Sequence, residues 1–258
     1  YYRMAIEKFI KRRMDPEEIH QIGLSEVSRI EEEILKIMEK NGFKGSVSDY
    51  FAHLNGMPTM TLPQTDTGRA AYIETATEYI KDMEKRLPDF FNVIPKKPVI
   101  ARAVEKDREN YGMMPGAAFY TRPPLVGPEP GVFYSNLVRM DKQPLWALES
   151  VTYHESIPGH HMQVALTQEN KSVPDFRWSY FFGGYNEGWA LYAETLAKEM
   201  GAYPEGDHGN VGRLFWELKR AVRLVVDTGF HYKRWSIDQS AQYIADHFKA
   251  SPESAMSE

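Results

Sequence analysis

The sequence has no cysteine, no surplus of basic residues and no long apolar run. The absence of cysteine among 258 residues excludes disulfides, thiolate nucleophiles and zinc or iron–sulfur sites with cysteine ligands. With 31 basic and 36 acidic side chains, the net charge of -5 argues against nucleic acid as a partner. No run approaches the roughly 20 apolar residues that span a bilayer, so we expect no membrane-spanning segment. Any bound metal must therefore use histidine, aspartate or glutamate.

Apolar residues at helical spacing predict two long helices in the first part of the chain. The first is capped by Asp15, with Glu18 completing a capping-box pattern. The second covers about 68–87 and is closed by Pro88. A shorter helical piece is predicted around 47–54.

Prolines and glycines interrupt this helical pattern in the middle of the chain. Three short β-prone runs lie there and predict a small sheet, at 99–104, 117–120 and 132–137. Helices return afterwards at 145–169, with an interruption, and at 174–200, 209–229 and 236–249. The predicted fold class is therefore mainly α with a small β-sheet (α+β).

The most informative stretch of the sequence is His154-Glu155-Ser156-Ile157-Pro158-Gly159-His160-His161. Three imidazoles and a carboxylate within eight residues have the composition of a metal site. In the HExxH motif, the two histidines lie one helical turn apart and bind zinc, while the glutamate acts as a base. Here the fifth position of the motif is Pro158, so the strict motif is absent.

Pro158 affects which histidine, His160 or His161, is the better candidate for the second ligand. It has no N–H to donate to the carbonyl of His154, so the helix is expected to be distorted there. If Pro158 and Gly159 bulge outward, His154 and His160 take the relative positions of the HExxH histidines. An undistorted helix would instead place His161 about 20° from His154 around the axis. We favour His160 and keep His161 as the alternative.

A third ligand is expected on a following helix. Glu187 is the first choice, because it lies 33 residues after His154 and follows a Gly183-Gly184 break. Glu194 lies seven residues further on, near the same helix face. It is expected to orient a ligand imidazole, and it is the alternative third ligand.

Arg223, Asp227 and His231 are spaced by four and share one helix face if the helix continues through Gly229. His231, or Tyr232 beside it, is a candidate to stabilise an oxyanion. Arg223 is a candidate to hold a substrate carboxylate or to pair with Asp227.

Three ordered motifs resemble a bacterial family of unknown function, numbered 885, whose members are predicted zinc metallopeptidases of the gluzincin class. The motifs are HExxPGHHxQ at His154–Gln163, EGWAxYxE at Glu187–Glu194 and RLVxDxGxH at Arg223–His231. The resemblance implies a helical, zincin-like catalytic domain that hydrolyses peptides. It also implies zinc ligation by His154, His160 and Glu187, with Glu155 as the catalytic carboxylate.

The resemblance also bears on domain organisation, location and substrate contacts. It covers nearly the whole chain, so we interpret residues 1–258 as one catalytic domain and expect a fragment of a longer protein. Its parts are helical (1–95), β (96–140) and helical with the zinc site (141–258). Many family members are expected in the periplasm or cell envelope. By analogy with other zinc peptidases, the strand at 132–137 could pair with an extended peptide substrate if it lies at a sheet edge.

Two other functions are compatible with parts of the sequence. A catalytically inactive relative would bind peptides or partners, although an inactive protein has no need for Glu155. A dinuclear carboxylate protein requires inward-facing ExxH pairs. Glu17–His20 and Glu205–His208 have that spacing, but the second pair lies in a proline- and glycine-containing turn.

Overall fold

The computed structural model describes residues 1–109, 118–204 and 208–256. Its helices are α1 (Tyr2–Ile10), α2 (Pro16–Lys40), α3 (Val47–Gly56), α4 (Asp66–Phe90), α5 (Leu145–Glu155), α6 (His160–Glu169), α7 (Phe176–Ser179), α8 (Gly183–Glu199), α9 (Gly209–His231), α10 (Ile237–Phe248) and α11 (Pro252–Met256). Its strands are β1 (Val99–Ala103), β2 (Ala118–Thr121) and β3 (Gly131–Ser135), and short 3₁₀ turns occur at Pro58–Met60 and Met140–Lys142. This composition confirms the predicted α+β class. None of the helices in the described ranges combines the length and hydropathy needed to cross a bilayer.

The chain divides into two compact units. The first comprises Tyr1–Met57 and Leu214–Glu258, and the second comprises Pro58–Arg213. The boundary between Arg213 and Leu214 falls inside α9, so no linker in the sequence marks it.

The first unit is built from helices whose ends are set by local capping. The Asp15 side chain accepts a hydrogen bond from the N–H of Glu17, one residue before the predicted partner Glu18. Ser46 and Asp49 form a reciprocal capping box that begins α3. The apolar faces are fully buried, with Ile30, Ile34 and Met38 on α2, Tyr50, Phe51 and Leu54 on α3, and Leu218, Val222 and Val225 on α9.

The second unit contains the sheet, in the order β1-β3-β2. Strand β3 pairs in parallel with β1 and in antiparallel with β2. The strand β3 has a neighbour on both sides, so the condition for peptide pairing at 132–137, a position at the sheet edge, is not met. The predicted run at 117–120 is observed as β2, and its residue 117 lies outside the described residues.

Two predicted helix boundaries of the second unit also differ from the structure. Helix α4 continues through Pro88 to Phe90. The N–H of Phe91 donates to the carbonyl of Leu87 at 2.9 Å, so the helical hydrogen bonding extends past the proline. The Gly183-Gly184 pair does not break a helix but begins α8. The break lies just before it, where the Phe182 N–H donates to the Asn186 side chain at 2.9 Å.

Candidate metal centre

The turn between α5 and α6 places two histidines close together. Helix α5 ends at Glu155 and α6 begins at His160. Within the turn, the N–H of Gly159 donates to the carbonyl of Tyr153 at 3.0 Å, and the N–H of His161 donates to the carbonyl of Ser156 at 2.9 Å. The helical distortion predicted at Pro158 is confirmed.

The turn has no room for a side chain at Gly159. A Cβ there would lie 2.0 Å from the carbonyl oxygen of His154 and 2.3 Å from that of Tyr153. Both neighbours are backbone atoms, so neither can move without opening the turn. The close return of the chain therefore depends on glycine at this position.

The side chains of His154, His160 and Glu187 converge. One candidate ligand atom from each lies within 4.8 Å of those of the other two. Nε2 of His154 is 3.8 Å from Oε2 of Glu187, and Nε2 of His160 is 3.7 Å from Oε1 of the same carboxylate. The two rings are nearly perpendicular, at 86°. Among the described residues, this is the one group of three that could hold a metal ion.

Glu194 orients His154 and does not join this group. Its Oε1 lies 2.8 Å from Nδ1 of His154, and its Oε2 accepts a hydrogen bond from Ser150 at 2.5 Å. All three side chains are buried. Burial alone would lower the pKa of His154, but the carboxylates of Glu187 and Glu194 outweigh it and raise that pKa to about 9.

His161 is held elsewhere by both of its ring nitrogens. Nε2 lies 2.8 Å from the carbonyl of Lys97, and Nδ1 lies 3.0 Å from the hydroxyl of Tyr120. Since a carbonyl only accepts, Nε2 carries the proton and Nδ1 accepts from Tyr120. Burial lowers the pKa of His161, which favours this neutral form. The structure therefore groups His160 with Glu187, whereas His161 links α6 to the sheet.

Two hydrogen bonds fix α8, which carries Glu187, against the turn and α6. The indole N–H of Trp189 donates to the carbonyl of Pro158 at 2.9 Å. The side-chain amide of Asn186 donates to Gln163 at 2.6 Å. These contacts come from residues on either side of Glu187, so they set the position of its backbone relative to the two histidines.

Glu155 is the last residue of α5 and is half-buried. It directly follows His154, and its negative charge contributes to the raised pKa of that histidine. A carboxylate at this place can exchange protons with a water molecule or substrate near the group.

A second buried polar group, formed by Glu149, Tyr153 and Tyr203, has no counterpart in the sequence predictions. Glu149 accepts hydrogen bonds from the hydroxyl of Tyr153 at 2.9 Å and from the backbone N–H of Tyr203 at 3.3 Å. The hydroxyl of Tyr203 donates to the backbone carbonyl of Glu194 at 3.3 Å. The i,i+4 spacing of Glu149 and Tyr153 was the one available signal, but Tyr203 lies far away in the sequence.

Arg223 and His231 belong to the first unit, on the exposed side of α9. The helix does continue through Gly229, as their shared face requires. Nε2 of His231 lies 3.8 Å from Asp227, and the hydroxyl of Tyr2 donates to the same carboxylate. The catalytic roles of Arg223 and His231 stay predictions.

The residues of the dinuclear alternative have other partners. Glu17 is bound by Lys233 at 2.7 Å, and Nδ1 of the buried His20 lies 2.8 Å from the hydroxyl of Thr228. Glu205, from the second predicted pair, lies outside the described residues.

Two of the solved structures that share this fold come from Colwellia psychrerythraea and Shewanella oneidensis. One carries the description "putative lipoprotein from Colwellia psychrerythraea"; it has 34% sequence identity and a TM-score of 0.93, and the match covers 100% of this chain and 44% of that one. The other is described as "a putative lipoprotein of unknown function from Shewanella oneidensis". It has 18% sequence identity and a TM-score of 0.76, and the match covers 99% of this chain and 47% of that one. At that lower identity the likeness shows the fold alone. The chain spans less than half the length of either structure.

No curated protein matches the chain. The family described as bacterial protein of unknown function (DUF885) matches residues 1–258, which is the whole sequence. The chain therefore belongs to the bacterial family DUF885.

Proposed function

We propose that this chain forms the catalytic centre of a zinc-dependent peptidase of the gluzincin type. One observation carries the proposal: two imidazoles and a carboxylate converge, while Glu194 occupies the far nitrogen of His154. In zinc proteins, a carboxylate bound to the second nitrogen of a ligand histidine fixes both its tautomer and its orientation.

The donor set fits zinc. His154, His160 and Glu187 would supply two nitrogens and one oxygen, and this combination is found in catalytic zinc sites that keep a fourth position open. The two imidazoles are buried, whereas Glu187 is exposed, so the group is accessible from one side. Placement on two helices joined by a tight turn, with a third helix hydrogen-bonded to both, provides the rigidity that such a site needs.

A bound zinc ion would supply Lewis-acid chemistry, since it acidifies water and polarises a carbonyl group. The protein's own part in the reaction falls to Glu155. This carboxylate would accept a proton from the attacking water and then deliver it to the leaving amine. His154 takes no proton in this scheme, because Glu194 holds its Nδ1 and the ion would occupy its Nε2.

Two further parts of the proposal rest on spacing in the sequence and on the neighbours. The spacing by four suggests that Arg223 would bind a substrate carboxylate and that His231 would stabilise an oxyanion; both roles remain predictions from the sequence. The descriptions of the two neighbours as lipoproteins support a location in the bacterial cell envelope.

The first test is elemental analysis of the purified protein, combined with digestion of a peptide library read by mass spectrometry. We expect one zinc per chain and cleavage that a chelator abolishes and added zinc restores. Glu155→Gln should retain the metal and lose most turnover, about 100-fold or more. Glu84→Gln, an exposed change on α4, should behave like the wild type.

Other results would select the alternatives. Absence of any bound metal, with peptide binding retained, would identify a non-catalytic binding protein. Two iron or manganese ions per chain would identify a dinuclear protein. Full activity of Glu155→Gln would refute the assignment of the base.

A further inference from the structure

One surface of the second unit exposes several large apolar side chains. The exposed fractions are 58% for Leu125, 88% for Val126, 68% for Phe176, 59% for Tyr180 and 63% for Phe181. Single exposed apolar side chains are ordinary, but a cluster of them indicates a binding surface.

Hydrogen bonds join the two segments that carry these side chains. Arg122 donates to the carbonyl of Trp178 at 3.1 Å, and the side chain of Gln168 donates to the carbonyl of Pro123 at 3.1 Å. The indole of Trp178 donates to the carbonyl of Asn170 at 3.2 Å. Residues 122–126 and 168–181 therefore form one surface, which we call the aromatic–basic surface.

Basic side chains surround the apolar ones. Lys96, Arg122, Lys171 and Arg177 are all exposed, and the ammonium group of Lys171 lies 4.5 Å from the centre of the Trp178 ring. Lys97, from the same stretch as Lys96, donates to the carbonyl of Pro124.

The acidic side chains of these segments do not cancel this charge. Glu169 accepts hydrogen bonds from the backbone N–H groups of Lys96 and Lys97, at 2.9 and 3.4 Å. In and beside these segments there are five basic side chains (Lys96, Lys97, Arg122, Lys171 and Arg177) and three acidic ones (Glu129, Glu169 and Asp175). The positive surface is thus local to a chain whose net charge is -5.

We propose that the aromatic–basic surface binds the surface of an anionic phospholipid bilayer. Aromatic and aliphatic side chains enter the boundary between headgroups and acyl chains, where aromatic rings are favoured. Lysine and arginine beside them are attracted to anionic headgroups. A protein partner fits less well, because lysine is depleted from protein–protein interfaces, whereas here Lys171 stacks on Trp178 amid the apolar side chains. This proposal is independent of the metal centre.

The test is co-sedimentation of the purified protein with vesicles of phosphatidylcholine alone or mixed with phosphatidylglycerol. We expect binding to the mixed vesicles, weaker binding to neutral ones, and a decrease in binding at high salt. Failure of the wild-type protein to bind mixed vesicles at low salt would overturn the proposal.

Variants separate the apolar and electrostatic contributions. Val126→Ser with Phe181→Ser should lower partitioning about tenfold or more. Lys171→Glu with Arg177→Glu should remove the preference for phosphatidylglycerol. The matched control, Met4→Ser with Phe9→Ser, changes side chains that are 72% and 68% exposed on α1 in the first unit and should bind as the wild type does. Equal loss in the control, with all variants folded by circular dichroism, would refute the assignment to this surface.

Discussion

Oε1 of Glu194 lies 2.8 Å from Nδ1 of His154, and both side chains are almost completely buried. The two residues come from different helices, α8 and α5, so the contact depends on how those helices pack. It directs Nε2 of His154 toward Glu187, at 3.8 Å. Glu194, a candidate ligand in the sequence, therefore contacts the far ring nitrogen of another candidate ligand and does not join the three converging side chains.

Removing Glu194 should weaken metal binding without removing any of the three converging side chains. We expect Glu194→Ala to lower zinc affinity about 10- to 100-fold, as for other partners of ligand histidines. Loss of the buried pair should also reduce the free energy of unfolding by about 3–5 kcal/mol. Competition with a chromophoric chelator measures the affinity, and Glu199→Ala, exposed on the same helix, is the control. Unchanged affinity in Glu194→Ala would show that His154 is oriented without this carboxylate.

Replacing either of two glycines near the candidate metal centre with alanine should change the free energy of unfolding, but in opposite directions. Gly159→Ala places a Cβ 2.0 Å from a backbone oxygen and should reduce the free energy of unfolding by about 3 kcal/mol. Gly188 lies within α8, and outside its own stretch of helix no atom lies within 4 Å of its Cβ position, so Gly188→Ala should stabilise the protein by about 0.5–1 kcal/mol. Denaturant unfolding measures both changes. Equal stability of the two variants would contradict the tight turn described at Gly159.

Trp189 should matter through its indole N–H as well as through its bulk. Trp189→Phe keeps an aromatic ring but leaves the carbonyl of Pro158 without this donor, which should cost about 1–3 kcal/mol of unfolding free energy. Because the bond holds α8 against the turn, zinc affinity should fall as well. Tyr192→Phe removes a hydroxyl from the exposed side of the same helix and should change neither quantity. The absorption spectrum of the cobalt-substituted protein reports any change in ligand geometry, and an unaltered spectrum with unaltered affinity would exclude a positioning role.

Mild acid should destabilise the protein through His20. Burial lowers the pKa of His20 below its usual 6.5, and the positive charge of Lys233 lowers it further. Below pH 6.5 the unfolded chain therefore binds more protons at this residue than the folded chain. The stability that neutral His20 contributes to the folded state is therefore fully present above pH 6.5. It is lost as the pH falls through the pKa of His20 in the folded protein. Denaturant unfolding from neutral to mildly acidic pH measures the effect.

Histidine variants assign this pH dependence. His20→Gln should make the unfolding free energy less dependent on pH in the acidic range. His53→Gln, an exposed change on α3, serves as the matched replacement. The assignment to His20 would be wrong if both variants flattened the dependence equally.

Much of the helical fold was predictable because it depends on interactions between near neighbours in the sequence. Asp15 caps α2 as the sequence predicts, and the helical piece predicted around 47–54 is observed as α3. The distorted turn between α5 and α6 was predictable for the same reason. The missing N–H of Pro158 acts on its own helix, so its effect can be derived without knowing any tertiary contact.

Features that depend on distant parts of the chain were not predictable. The central position of β3 follows from pairing with two other strands, and neither partner is encoded within the strand itself. The partner of Nε2 of His161 is a backbone carbonyl 64 residues away, which has no sequence signature. The same holds for Tyr203, whose contacts with Glu149 and Glu194 form only when the chain is folded.

The engagement of His161 with Lys97 and Tyr120 has a consequence for the choice of ion. Copper(II) and nickel(II) favour square-planar or tetragonal surroundings rich in nitrogen. A third imidazole is adjacent in the chain, but recruiting it would mean detaching α6 from the sheet. In the proposed zinc centre, this arrangement would disfavour an ion that seeks more nitrogen donors and would leave the mixed nitrogen–oxygen set of His154, His160 and Glu187.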